Sequence, residues 1–101
     1  MAAGLGREVG ALFIEDSGTR LAELEVALTK GDADAVAAIA HAIRGSAANV
    51  GADAVDRACA VLEALGRSGD LTRAHATFNV LTQALDQARG EIMSNAKKDA
   101  A

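Results

Sequence analysis

Proline is absent from the whole chain, so nothing in the sequence forces a helix to stop for want of a backbone N–H. Tryptophan and tyrosine are absent too, and the aromatic side chains are two phenylalanines, Phe13 and Phe78. A core must then be built from Leu, Val, Ile and Ala, which suits packed helices. The one cysteine, Cys59, excludes an internal disulfide, is too few for a cysteine-based metal site, and fits a reducing compartment. Basic residues are outnumbered 10 to 14, for a net charge of -4. With no basic surface to neutralise phosphates, nucleic acid is not an expected partner. No apolar run approaches bilayer-spanning length, and Arg7 and Glu8 fall where a signal peptide would need its apolar stretch. No membrane association and a cytoplasmic location are therefore expected.

What is present is half hydrophobic and spread over 101 residues, enough for one domain with a modest core. Glycine and aspartate punctuate it. "KGD" puts Gly31 after one helix and Asp32 at the N-cap of the next; "NVGAD" assigns the same roles to Gly51 and Asp53. "GRSGD" places Gly66, Gly69 and the cap Asp70 before the last helix. Turns this short join antiparallel neighbours. In the last piece Leu71, Ala74, Phe78, Leu81, Leu85, Ala88 and Ile92 recur at spacings of three and four, predicting the longest helix. Val55, Ala58, Cys59, Leu62 and Leu65 form a second seam, and Leu21, Leu24 and Leu28 a third. Leu5, Val9 and Leu12 run out of phase with the third seam, and "EDSG" lies where the phase changes. The reading is an all-α, antiparallel up-down four-helix bundle over residues 1–101, with a short N-terminal helix laid against it, a break at "EDSG", and a frayed tail from about residue 95 to 101.

Between Asp32 and Asn49 the apolar stripe is Val36, Ile39, Ala40, Ile43 and Ala47, continued by Val50. At ~100° per residue His41 stands roughly 150° from the middle of that stripe and faces away from the core. Its helical neighbours are Ala37, Ala38, Arg44 and Gly45, with Ala48 two turns on. A face selected only for solubility would carry Glu, Lys and Gln there. Small side chains instead let a second macromolecule approach, and Gly45 leaves no Cβ where that partner must dock. Metal binding needs further ligands, and no His, Cys or carboxylate occurs three or four residues away on this face. A hydrolytic triad needs a pocket that a small solid bundle does not offer. An exposed, unpaired imidazole can itself be a nucleophile that takes a phosphoryl group, for which Arg44, one turn away, supplies a planar cation. The rival reading is a non-catalytic helical interaction module that binds a partner protein through the bare face.

"AHAIRGSAANVGA" followed by "CAVLEALGR" resembles the histidine-containing phosphotransfer (HPt) domain family, whose motif reads His-x-x-Lys/Arg-Gly-Ser/Ala with a glycine closing the helix soon after. The likeness runs from "LFIEDSGTRL" through "LGRSGDL". It implies that His41 is the phosphoacceptor, through its outer ring nitrogen, that Arg44 steadies the phosphoryl group, and that Gly45 admits the response regulator. It further implies that Glu63 and Arg67 approach the histidine from the adjacent helix. Ser46 matches a small hydroxyl expected to bond a carbonyl one turn back. Arginine at position 44, where lysine is commoner, is the main departure. The implied function is a phosphorelay carrier passing a phosphoryl group between receiver-domain aspartates. It would have no cofactor of its own and no kinase or ATP-binding activity, Mg²⁺ being supplied by the receiver. Expected partners are response regulator receiver domains and a hybrid sensor histidine kinase, with the carrier monomeric. His75 lacks a basic residue or glycine three or four residues on and is expected to be incidental. Cys59, inside a seam, is expected to be a small buried hydrophobe.

Overall fold

The computed structural model describes the backbone of residues 2–100 and the side chains of residues 9–95. Within them the backbone forms α1 (Ala2–Lys30), α2 (Ala33–Val50), α3 (Asp53–Ser68) and α4 (Leu71–Ala100). Three glycines in the left-handed region, Gly31, Gly51 and Gly69 with φ of 71°, 69° and 81°, end the first three helices. Only a residue without Cβ adopts that conformation at no steric cost. Asp32 caps α2, its Oδ1 accepting from Ala35 N–H at 3.1 Å, and Asp70 does the same for α4 through Arg73 N–H at 3.3 Å. At α3 the expectation fails by one residue. Ala52 occupies the cap without a side-chain bond, and Asp53 is the first helical residue, where its charge suits the helix N-terminus. Gly66 is likewise not a turn residue; it lies inside α3 and is buried.

The helices pack as an antiparallel ring, α1 on α2, α2 on α3, α3 on α4 and α4 back on α1. Leu24, Ile43, Leu62 and Leu81, one from each helix, are fully buried at its centre. Each such side chain stabilises the fold by about 1.5–3 kcal/mol. The seams read along α3 and α4 all face this core, and α4, at 30 residues, is the longest helix. No helix among the described residues is long and apolar enough to cross a membrane.

The short N-terminal helix and its break are not found: α1 is one helix of 29 residues. Its inward line is Gly10, Phe13, Ser17, Leu21, Leu24 and Leu28, an unbroken run at spacings of three and four that uses two small residues an apolar count omits. Ser17 is buried because its hydroxyl donates to Phe13 O at 2.6 Å, leaving no unsatisfied polar atom. Val9 and Leu12, read as a stripe, are 42% and 63% exposed; the side chain of Leu5, like those of Arg7 and Glu8, lies outside the described residues. Gly10 brings α1 against α4, since a Cβ there would stand 2.7 Å from Ile92 Cγ2. Helix α4 continues through Ala100, so residues 95–100 of the tail are helical in their backbone, and residue 101 lies outside the described residues.

Candidate functional site

His41 projects from the outer ridge of α2, its side chain 71% exposed. The imidazole is not unpaired, as the sequence suggested. Its Nδ1 lies 3.0 Å from Oε1 of Glu63 on α3. A carboxylate oxygen only accepts, so the contact puts the ring hydrogen on Nδ1 and leaves the lone pair on Nε2, at the outer edge of the ring. The neighbour that fixes the ring's tautomer is 22 residues away in sequence, beyond the reach of any reading confined to α2.

Glu63 is a buried carboxylate, with 7% of its side chain exposed. It is held by three groups: His41 Nδ1, Arg67 Nη2 at 2.6 Å to Oε2, and Arg44 Nη1 at 4.0 Å to Oε1. The hydrogen bond from His41 above all, and then the Arg67 and Arg44 charges, hold its carboxyl below the ordinary value of 4.5 against the opposing effect of desolvation. It therefore remains a carboxylate through the neutral range.

What lets α3 deliver this group is Gly66, one turn beyond Glu63. A Cβ at Gly66 would stand 2.7 Å from Ala37 N and 2.9 Å from Ala33 O, so the two backbones touch where any side chain would separate them. Ala37 lies one turn before His41, as Glu63 lies one turn before Gly66 in the opposite direction. The close crossing thus sets the distance between imidazole and carboxylate.

Arg44 leans toward α3, its Nε donating to Asp56 Oδ1 at 2.9 Å. Asp56 was not among the residues singled out from sequence. The available signal was its spacing: Asp56, Glu63 and Arg67 stand seven and four apart, on one flank of α3 beside the apolar seam. Ser46 does not bond a carbonyl one turn back. Its Oγ makes a long 3.5 Å contact with Asp16 Oδ2 of α1, on the other flank of α2. Here Ser46, Asn49 and Val50 meet the exposed Val9 and Leu12 across a shallow apolar groove.

Gly45 sits at an ordinary helical position, and a Cβ built on it meets nothing within 4 Å. Together with exposed Ala38 and Ala48 it forms an uncluttered surface around the ring; Ala37, half-buried, is engaged with Gly66 instead. Cys59 is free and fully buried, and burial first of all pushes its thiol up to about 12, so it stays a neutral, unreactive filler. His75 is exposed on α4. No group of three or more His, Cys, Asp or Glu side chains among the described residues is disposed to hold a metal ion.

The sequence model described as Hpt domain matches residues 8–91. Among solved structures, the crystal structure of histidine-containing phosphotransfer protein B (HptB) from Pseudomonas aeruginosa PAO1 is similar, with 30% sequence identity and a TM-score of 0.88. The alignment covers 91% of this chain and 80% of that one. No curated protein sequence matches.

Proposed function

This chain belongs to the Hpt domain family and has a histidine phosphotransfer role in a phosphorelay, and we propose that His41 is the residue that carries the phosphoryl group. The observation that carries the assignment is the His41–Glu63 contact, which presents Nε2 as an exposed nucleophile. In the transfer, the Nε2 lone pair attacks the phosphorus of a receiver-domain phosphoaspartate. The N–P bond forms, the aspartyl O–P bond breaks, and the aspartate leaves as a carboxylate. The proton on Nδ1 stays in place, so the phosphorylated ring is cationic and faces the Glu63 carboxylate. The reverse step delivers the group to the aspartate of a second receiver.

In this reading Arg44 supplies charge to the transferred oxygens and Arg67 keeps Glu63 in position. Gly45, Ala38 and Ala48 leave room for the receiver, and Ala37 seats α3 against α2. The groove at Val9 and Leu12 extends the docking surface along α1. The receiver brings Mg²⁺ and the acidic pocket, a hybrid sensor histidine kinase supplies the phosphoryl group upstream, and the carrier acts as a monomer.

The test is to incubate the protein with a receiver domain radiolabelled at its aspartyl phosphate. Label should move to this chain as a phosphoramidate, lost in acid and stable in mild base. His41→Gln should abolish it with the helical signal unchanged, whereas His75→Gln should retain it. Label that survives His41→Gln, or that is acid-stable and base-labile, would place the site elsewhere.

A further inference from the structure

Arg44 is engaged before any phosphoryl group arrives. Its Nε is on Asp56 at 2.9 Å, while its Nη1 is 4.0 Å from the Glu63 oxygen that His41 already uses. Asp56 and Glu63 are two turns apart on α3, about 10 Å along its axis, and the hydrogen bond of the guanidinium goes to Asp56, the nearer of the two to the α2–α3 turn. Both members of the pair are substantially exposed, 45% and 40%, which makes it a weak and exchangeable bond. A phosphoryl group on Nε2 would add about two negative charges within reach of the same guanidinium, and arginine binds phosphate oxygens through two parallel charge-assisted bonds. Asp56 and the phosphoryl group then compete for one cation.

We propose that Asp56 is a positioning residue that holds Arg44 in the unphosphorylated protein and yields it to the phosphoryl group when His41 is loaded. The proposal rests on the phosphotransfer reading above. Asp56 thereby sets how far the transfer equilibrium favours phosphorylated His41: releasing Arg44 from Asp56 opposes loading and returning it favours discharge to the next receiver. Without Asp56 the cation is free from the start, and the loaded state is the more stable.

The experiment equilibrates the full chain with a phosphorylated receiver domain and measures the ratio of label on the two proteins, for the parent, Asp56→Asn, Asp56→Glu, Arg44→Ala and the Asp56→Asn/Arg44→Ala double variant. Asp56→Asn should raise the share on His41 by roughly two- to fivefold, the range an exposed ion pair spans. Asp56→Glu should hold the parent ratio, and the double variant should match Arg44→Ala alone. The Arg44 Nε–H resonance in NMR should shift in Asp56→Asn and in the same direction on phosphorylation of the parent. An unchanged ratio in Asp56→Asn, or the same increase in the Arg44→Ala background, would overturn the proposal. A parent that takes no label at all would overturn the phosphotransfer reading itself, and this inference with it.

Discussion

Two glycines in helix interiors serve opposite ends. Gly45 faces open solvent and Gly66 faces the backbone of Ala33 and Ala37. At Gly45, alanine adds helix propensity and meets nothing, so Gly45→Ala should stabilise the protein by up to ~1 kcal/mol. At Gly66 the atoms in the way belong to another helix's backbone and cannot rotate aside, so Gly66→Ala should destabilise by about 1–3 kcal/mol. Urea denaturation of the two variants reads both signs. Gly45→Gln should also stay folded yet transfer poorly; loss of the fold there would mean that the position is packed after all. The clearance at Gly45 was legible in the sequence, because an alanine-rich helix had no propensity reason to include it. The packing at Gly66 was not. "GRSGD" looks like a turn wherever it occurs, and only the neighbouring helix shows that its first glycine is interior.

At the scale of the element, the apolar seams of α2, α3 and α4 were readable because each side chain in them is apolar and its spacing is helical. Helix α1 was misread for the converse reason: its inward face passes through Gly10 and Ser17, which carry no hydropathic signal, while Val9 and Leu12 are apolar and point outward. The continuity of α1 has a direct consequence. Ser17→Pro would remove a backbone donor and set the ring against the carbonyl of Phe13, in the middle of a buried turn. It should cost about 3 kcal/mol or more, seen as a lowered melting temperature. If "EDSG" were a joint between two helices, the same change would be tolerated. The charged flank of α3 is the other element-level feature that sequence underrated. The family resemblance pointed to Glu63 and Arg67, but Asp56 looks like a solvated charge until α2 is laid beside it and brings Arg44 onto its carboxylate.

For the whole molecule, the Glu63 cluster is a bond between α2 and α3 that depends on protonation. Its carboxyl is held below 4.5 in the folded protein, chiefly by the hydrogen bond from His41. A group whose folded value is depressed contributes stability that is present above its unfolded value and drains away as pH falls through the lowered one. The melting temperature should therefore drop on acidification below about pH 4.5, and Glu63→Gln should flatten that slope while leaving the neutral-pH helical content intact. Equal slopes in the two proteins would mean that the carboxylate does not tie the helices together.

Side-chain type and spacing were enough to place α2, α3 and α4 with their core seams, the glycine caps that end three helices, and the outward direction of His41. These are local properties, set by side-chain type and a period of 3.6 residues, and they need no knowledge of neighbours. Helix packing was needed to fix which nitrogen of His41 is free, that the neighbouring Glu63 is buried and ionised, that Arg44 rests on Asp56, and that Gly66 permits the crossing which makes all of this possible. Those facts are distances between helices. They depend on how closely two backbones pack, a quantity fixed by the absence of a few atoms at one position and not recorded in the pattern of either helix read alone.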